Sequence, residues 1–211
     1  MKIGFKTIYR WIYKNTIAKG YVNKLSRKGK PLKPKETRGK FNIGKSIKNR
    51  PKDIMKRESL GHWELDTVVS SRGKSKACIS TFVERKSRYL IAHVMENRKS
   101  SILNLHCFKA FEYISNKLIK KFTVDRGKEF AGYNEIEKTL NIDVYFADLY
   151  AYWQRGTNEN TNGLLREFYP KGFDFSTITQ NELDVVVNII INNRPRKCLV
   201  YKTHAEVFAT A

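Results

Sequence analysis

Three acidic residues lie where the chain is expected to bury a strand or begin a helix. Asp66 lies inside an apolar run, Asp125 ends the run FTVD, and Glu159 lies in the first turn of a predicted helix. A carboxylate inside a buried strand is costly unless a positive group neutralises it, and a metal ion does so most directly. Oxygen ligands of this kind suit Mg²⁺ or Mn²⁺. Two such ions, about 3.5 to 4 Å apart, could support phosphodiester chemistry.

Each of these acids also has an ordinary structural explanation. Asp66 could pair with a buried arginine, Asp125 could form a turn, and Glu159 could interact with the helix dipole. His62 and Glu64 project to the same side of the strand as Asp66, which suggests a histidine-containing metal site. One histidine without paired cysteines is poor evidence for zinc, so we assign His62 and Glu64 to packing or to contacts behind the acids.

The remaining pattern predicts the elements that must position the acids. Strand-like runs rich in β-branched and aromatic residues occur at 62–69, 77–84, 89–95, 122–125 and 144–147. Helical spacing occurs at 102–118, 158–168 and 180–192. This mixture predicts an α/β architecture in which helices flank a partly antiparallel sheet of five strands. If the first and fourth strands are neighbours, Asp66 and Asp125 meet at the sheet surface, and the helix packed against it presents Glu159.

Positive charge is concentrated near the N-terminus. The 211 residues include 41 Lys plus Arg and 20 Asp plus Glu, a formal net charge of +21. Residues 1–61 hold 19 of these bases and 3 of the acids, whereas residues 62–211 hold 22 and 17. This excess of positive charge excludes, as the default class, an enzyme of neutral net charge that acts on small metabolites. Residues 24–57 are rich in Lys, Arg, Gly and Pro, which predicts a mostly extended linker in contact with nucleic-acid phosphates; a solvated tail is the alternative.

A short amphipathic helix is predicted before this linker. Thr7 can cap it, and Ile8, Trp11 and Ile12 recur at helical spacing. The pattern is typical of the recognition helix of a helix-turn-helix unit, whose earlier helix would have to lie before Met1. A terminal helix docked on the main domain is an equal alternative.

Cysteine content and hydropathy indicate the compartment. Cys78, Cys107 and Cys198 are odd in number and far apart, which fits neither a disulfide framework nor a paired-thiolate metal site. No apolar run approaches the roughly 20 residues of a membrane span, and the first residues lack the apolar core of a secretory signal. We therefore expect a cytoplasmic protein without membrane contact.

Six segments around the acids occur in one order between Gly61 and Phe208: GHWELDTV, FVERKSRYLIA, FTVDRGKEF, WQRGTNENTNGLLREFYPKG, NNRPRKCL and AEVF. Together they resemble the catalytic core of DDE transposases and retroviral-type integrases, and most closely the bacterial insertion-sequence family numbered thirty. Asp125 and Glu159 have 33 residues between them, which matches the acid spacing of that family.

The resemblance implies a ribonuclease-H-like fold with Asp66, Asp125 and Glu159 as its metal-binding triad. Two Mg²⁺ ions would be bound, with Mn²⁺ as a substitute, for phosphodiester cleavage at the ends of a mobile element and strand transfer into target DNA. The chain would divide into a helix-turn-helix remnant at 1–23, a basic linker at 24–58 and an integrase-like catalytic core at 59–211. Its partners would be element ends, target DNA and further copies of the chain on DNA, at the bacterial nucleoid.

Eight residues around the acids are candidates for DNA contacts. Polar side chains there could hydrogen-bond phosphates or base edges, and an exposed aromatic ring could stack on an unpaired base. Two of them project from the same helix face as the third acid, at i+3 and i+7. For the asparagines, helix capping or simple exposure is an equal alternative. The candidates are Arg126, Trp153, Arg155, Asn158, Asn160, Asn162, Arg166 and Lys171.

Three features depart from the family pattern. Helix-turn-helix units generally precede the linker, and here only the last helix is expected, so we interpret the chain as N-terminally truncated. The loop 148–153 lacks two expected prolines, and Val200 and His204 replace an expected Gly and Pro. The alternative function is a DNA-binding remnant without transposition activity that modulates an intact transposase. A ribonuclease acting on RNA:DNA hybrids would share the fold, but the WQRGTNEN motif argues against it.

The basic N-terminal segment predicts a steep salt dependence of DNA binding. If it neutralises roughly 6 to 10 phosphates, affinity falls about 10³- to 10⁵-fold between 50 and 200 mM salt. Fluorescence anisotropy of a labelled duplex over this range measures the effect. An affinity that stays constant with salt concentration would contradict the assignment of this segment to phosphate contacts.

Overall fold

The computed structural model describes residues 3–25, 44–71, 73–149 and 151–210. The chain forms two compact units, Met1–Thr37 and Arg38–Ala211. Among the helices of the described residues, none has the length and apolarity that crossing a bilayer requires.

The first unit contains helix α1, Phe5–Tyr13, and two short 3-10 turns, Ala18–Gly20 and Val22–Lys24. The predicted cap at Thr7 is wrong. The helix begins at Phe5 and follows Gly4, whose carbonyl accepts a hydrogen bond from the Thr7 N–H at 2.9 Å. Because Thr7 already lies inside the first turn, its side chain is not placed to cap it. The assignment of α1 to DNA recognition stays a prediction.

The second unit is built on a six-stranded mixed sheet. Its strands are β1 (Lys45–Ser46), β2 (His62–Val69), β3 (Cys78–Glu84), β4 (Leu90–Met95), β5 (Lys121–Val124) and β6 (Asp143–Phe146). The spatial order is β1-β6-β5-β2-β3-β4. Strands β2, β3 and β4 form an antiparallel meander, whereas β1, β6, β5 and β2 pair in parallel. The α/β class and the five predicted strands are confirmed, and β1 is an additional sixth strand.

The pairing of β2 with β5 positions the two aspartates. The parallel register places Glu64 opposite Thr123. Two residues further along each strand lie Asp66 and Asp125, which therefore reach the same level of the sheet. The predicted adjacency of the first and fourth predicted strands is confirmed.

Helices cover both faces of the sheet. They are α2 (Asp53–Lys56), α3 (Ser100–Phe111), α4 (Tyr133–Leu140), α5 (Gly156–Phe168), α6 (Gln180–Asp184), which continues as a π-helix at Val185–Ile191, and α7 (His204–Phe208). One core packs Trp63 and Phe82 against Leu103 of α3. A second core on the opposite face packs Val68 against Leu164 of α5. Alternate residues of β2 thus supply two apolar layers, and α5 lies on the face that carries Asp66.

Two predicted helices differ from the observed ones. The helix expected at 102–118 ends at Phe111, and Asn116–Leu118 forms a separate 3-10 turn. This turn is held on the sheet because the Leu118 carbonyl accepts a hydrogen bond from Trp63 Nε1 at 2.8 Å. The helix expected at 180–192 begins at Gln180 as predicted, with Thr179 and Glu182 forming a capping box, but changes to π geometry at Val185.

The predicted linker at 24–58 is wrong for residues 44–58. These residues form β1, a 3-10 turn at Ile47–Asn49 and α2. Ile47 is 9 % exposed and Ile54 only 2 %, so two apolar anchors hold a segment whose many basic residues obscured them in the composition. Residues 26–43 of the predicted linker lie outside the described residues.

Asn192 provides a test of how the C-terminal region is anchored. It is 1 % exposed, and its amide accepts from the Leu90 N–H at 3.0 Å and donates to the Leu90 carbonyl at 2.9 Å. Asn192→Ala leaves both backbone groups without these partners, so the free energy of unfolding should fall by about 2 to 4 kcal/mol. Urea denaturation measures this. Asn193→Ala, which removes one exposed hydrogen bond, is the control, and equal decreases in both variants would contradict the anchoring role.

Candidate active site

Asp66 of β2 and Asp125, which directly follows β5, share one cation. Arg155 Nη1 lies 3.3 Å from Asp66 Oδ2, and Arg155 Nη2 lies 3.3 Å from Asp125 Oδ2. The Arg155 side chain is 12 % exposed, so the guanidinium is largely enclosed between the two carboxylates. Two acids that are 59 positions apart in sequence therefore meet, as predicted. The positive group between them is an arginine, which is the alternative given above for Asp66.

The charges of these three groups are strongly coupled. Burial raises the pKa of Asp66 above its ordinary value, the Arg155 guanidinium opposes this rise, and the Asp125 carboxylate adds to it. Burial acts to lower the pKa of Arg155, but the charges of Asp66 and Asp125 outweigh it and the pKa is raised. Ionised Asp66 therefore depends on a cation at this position.

Helix α5 runs along β2 over the aspartates. The Asn158 N–H donates to Glu64 Oε2 at 3.0 Å, and Asn162 Nδ2 donates to Asp66 Oδ2 at 3.1 Å. Asn162 also contacts Thr81 Oγ1 of β3 at 3.3 Å. These contacts fix the helix over the strand that carries Asp66.

Glu159 is exposed on this helix, one turn before Asn162 and four residues after Arg155. Asn162 shares a face of α5 with Glu159 and contacts Asp66. Arg155, which also contacts Asp66, precedes the helix in the 3-10 turn Tyr152–Arg155. Within the described ranges, however, no three His, Cys, Asp or Glu side chains are grouped closely enough to hold a metal ion. The structure thus unites two of the three predicted acids and places the third on the adjacent helix face.

A buried ion pair holds the start of α5 on the sheet. Glu64 is 0 % exposed and contacts the guanidinium of Arg85, which is 5 % exposed. Because Glu64 also accepts from the Asn158 N–H, one carboxylate links β2, β3 and α5. His62 is buried beside Ser59 Oγ at 3.1 Å, and burial lowers its pKa to about 4, which keeps it neutral. His62 and Glu64 therefore lie behind the acids, as predicted, while the role of Arg85 was missed.

A second buried carboxylate, Glu129, lies beside the turn that follows Asp125. Glu129 is 2 % exposed, accepts from Thr67 Oγ1 at 2.8 Å and pairs with Arg98. Gly127 N donates to Asp125 Oδ1 at 2.7 Å, and a Cβ on Gly127 would lie 2.5 Å from the Glu129 carboxyl carbon. Only glycine fits this turn without displacing the acids. The DRGKE motif in the sequence contains both the glycine and the buried glutamate of this turn. From the sequence alone, its Glu129 is equally compatible with a surface ion pair.

The candidate DNA contacts fall into different environments. Trp153 is 79 % exposed and Lys171 is exposed, so both are accessible. Asn160 is exposed and accepts from Arg196 Nη2 at 2.9 Å. Asn158 is 1 % exposed, so the contact predicted for its side chain is corrected: its backbone is engaged by Glu64 and its amide lies in the interior.

The other candidates already have protein partners. Arg126 Nε donates to the Ala147 carbonyl at 3.1 Å. Arg166 Nη2 donates to the Val69 carbonyl at 3.0 Å, and its guanidinium lies 5.5 Å from the centre of the Phe175 ring. Together with Arg155 and Asn162, these side chains connect the site to the sheet, and each would have to exchange a protein contact for one with DNA.

Comparison with known proteins agrees with this geometry. The integrase core domain family matches residues 56–151. The catalytic core of BIV integrase, a solved structure, is 16 % identical with a TM-score of 0.54, and the match covers 72 % of this chain and 95 % of that one. A chain of the simian T-cell lymphotropic virus intasome is 18 % identical with a TM-score of 0.58, covering 83 % and 59 %. The fold is therefore ribonuclease-H-like, of the integrase-core class.

Curated relatives identify the family within this class. The transposase InsI of element IS30A from Escherichia coli (strain K12) is 39 % identical over 98 % of this chain and 56 % of its own length. The transposase of IS4351 from Bacteroides fragilis is 36 % identical, over 98 % and 64 %. The probable transposase of IS1161 from Streptococcus salivarius is also 36 % identical, over 96 % and 58 %. The chain belongs to the IS30 family of insertion-sequence transposases, and it spans little more than half the length of the first of these relatives.

The raised pKa of Asp66 predicts the effect of neutralising it. A folded-state pKa above the ordinary 3.8 means that ionisation of Asp66 costs stability, and the cost is complete above the folded pKa and absent below the unfolded one. Asp66→Asn mimics the neutral form, so its free energy of unfolding should exceed that of the wild type at pH 7. The difference should shrink toward pH 3.8. Urea denaturation between these pH values measures it.

Asp143→Asn is a control for which we expect the opposite change in the free energy of unfolding. Hydrogen bonds from Lys121 and Lys45 lower the pKa of Asp143 to about 2, so its ionised form contributes stability above pH 3.8 that is lost toward pH 2. Asp143→Asn should therefore lower the free energy of unfolding at pH 7. Destabilisation by both substitutions would contradict the electrostatic account of Asp66.

Proposed function

We propose that this chain carries the DDE catalytic core of an insertion-sequence transposase, a polynucleotidyl transferase that cleaves phosphodiester bonds at element ends and joins them to target DNA. The observation that carries the proposal is a pair of carboxylates, Asp66 and Asp125, that share one positive group. The Arg155 guanidinium lies 3.3 Å from each of them. Asp66 lies on β2 and Asp125 directly follows β5, the adjacent parallel strand of an integrase-type core.

The donor set fits divalent magnesium. Asp66 and Asp125 supply carboxylate oxygens, which Mg²⁺ and Mn²⁺ prefer, and they already stabilise a positive charge between them. We assign the metal site to Asp66, Asp125 and Glu159. Two ions bound there would activate the attacking oxygen and stabilise the leaving one.

Glu159 is the third residue because of its place on α5. Asn162, one turn after Glu159 on the same face of α5, contacts Asp66, and Arg155, which directly precedes α5, also contacts Asp66. We therefore assign the helix face that carries Glu159 to the acids. Asn162 orients Asp66, and Glu64 holds the helix start in place. The assignment requires the exposed Glu159 side chain to turn toward the two aspartates when metal binds.

The surrounding cations and the exposed ring are assigned to DNA. Trp153 would stack on a terminal base, and Lys171 would contact a phosphate. Arg155 neutralises the aspartate pair in the present conformation and can contact a phosphate only after it leaves that pair. Arg126, Asn160, Asn162 and Arg166 remain proposed contacts, in exchange for their present protein partners.

The proposed transposase has DNA and further copies of the chain as its partners. Its partners are element ends and target DNA, and because an element has two ends, copies of the chain assemble on DNA. Its place of action is the bacterial cytoplasm, at the nucleoid. The net charge of +21 supports this assignment because it favours association with a polyanion.

A nicking assay with Mg²⁺ on DNA that carries candidate element ends tests the function. Asp125→Asn should leave DNA binding unchanged, because the substitution removes one charge from a strongly basic chain, and should reduce cleavage below detection. Glu112→Gln, an exposed substitution at the end of α3, is the matched control and should retain wild-type cleavage.

Two outcomes would contradict this function. Cleavage by the Asp125→Asn variant at the wild-type rate would refute the site. Binding without cleavage by the wild-type chain, on ends that a full-length relative cleaves, would favour the alternative of a DNA-binding protein without transposition activity.

A further inference from the structure

Three arginines outside the acid site lie around the start of α5. Arg57 Nη2 and Arg88 Nη1 both donate to Thr157 Oγ1, at 3.2 and 2.9 Å. Arg50 Nη1 donates to Thr123 Oγ1 of β5 at 2.9 Å. We name Arg50, Arg57 and Arg88 the arginine cluster. All three residues are partly exposed.

The arginine cluster carries positive charge that the protein does not neutralise. Within the part of the chain that the structure describes, none of its members has a carboxylate at ion-pair distance. The nearby carboxylate of Glu64 is already paired with Arg85 and with the Asn158 N–H. Burial and then the charge of Arg85 lower the pKa of Arg50 to about 10, which still leaves it protonated at neutral pH. An anion would relieve this repulsion.

The backbone at two of these arginines is an independent observation. Arg57 has φ 57° and Arg88 has φ 66°, both in the left-handed region that favours glycine or asparagine. Both residues nevertheless deliver a guanidinium to the same hydroxyl of Thr157, which is 0 % exposed. Strained backbone that places charged groups together is a mark of a functional site.

The position of the cluster relative to the acids indicates the ligand. Thr123 lies two residues before Asp125, and Thr157 lies two residues before Glu159. Two residues of a strand span roughly 7 Å. Thr123, to which Arg50 donates, is therefore separated from Asp125 by roughly the distance between neighbouring phosphates along a DNA strand. Guanidinium groups bind phosphate oxygens through paired hydrogen bonds.

We propose that the arginine cluster binds a backbone phosphate of DNA next to the phosphate that reacts at the acids. The inference rests on the proposed function for the identity of the anion. By holding the neighbouring phosphate, the cluster would set the position of the strand relative to Asp66 and Asp125.

The test uses the full chain with a double variant, Arg57→Asn with Arg88→Asn. Asparagine tolerates left-handed backbone, so the substitutions remove charge and keep both turns. Fluorescence anisotropy with a labelled duplex, without divalent metal, gives the dissociation constant over a range of KCl concentrations. The slope of log affinity against log salt should decrease in magnitude by about 0.9 for each phosphate that the variant no longer neutralises.

The control is Lys109→Asn with Lys117→Asn, two exposed residues in and after α3, which packs on the opposite face of the sheet. It changes the net charge equally and should leave the slope at the wild-type value. An unchanged slope in the arginine variant, or an equal change in both variants, would overturn the inference. Should the double variant fail to fold in a thermal unfolding scan, Arg50→Gln, which alters neither turn, takes its place under the same criteria.

This binding measurement is independent of cleavage. A reduced slope together with a wild-type chain that never nicks DNA would uphold the phosphate site and refute the proposed catalysis. A nicking-competent chain with an unaltered slope would refute the phosphate site alone.

Discussion

The organisation of the site depends on an unequal charge balance, in which two carboxylates share one guanidinium. Asp66 and Asp125 each lie 3.3 Å from Arg155, so two carboxylates face one guanidinium and negative charge is in excess. The neighbouring buried carboxylates differ, because Glu64 has Arg85 and Glu129 has Arg98 as individual partners. Those two pairs are self-sufficient and structural, whereas the aspartate pair still attracts positive charge. The divalent ions proposed for this site would offset the excess negative charge more fully than one arginine does.

The fold keeps opposite charges apart over a short distance. The acids lie toward the C-terminal end of β5. Arg50 of the arginine cluster contacts Thr123, two residues before Asp125 on this strand, and Arg57 and Arg88 contact Thr157 at the start of α5. The pair formed by Glu64 and Arg85 ties β2 and α5 to the residue that follows β3. A polyanion along this surface would meet a cationic contact and a metal-binding contact in succession. This arrangement connects the rigid packing of α5 with the alignment of a DNA strand.

Much of the framework was predictable because the periodicity of apolar residues reports burial directly. The five main strands, the start of the helix at Gln180 and the meeting of Asp66 with Asp125 follow from such patterns. The segment 44–58 was not predictable from composition, because two isoleucines anchor it among many basic residues. Asn158 was misjudged for a related reason: its sequence position marks a helix start, while its burial depends on the long-range contact with Glu64. Arg85, Arg50 and Arg57 act through partners distant in sequence, which local patterns do not encode.

The central claim is that three acids from β2, the end of β5 and α5 hold the same metal ions. Replacing Mg²⁺ with Fe²⁺ in the presence of ascorbate and peroxide generates hydroxyl radicals at the metal, and mass spectrometry then locates the backbone cuts. The account predicts cuts close to residues 66, 125 and 159 together, all suppressed by excess Mg²⁺. Cuts near residues 66 and 125 with none near 159, or cuts that persist in excess Mg²⁺, would contradict it.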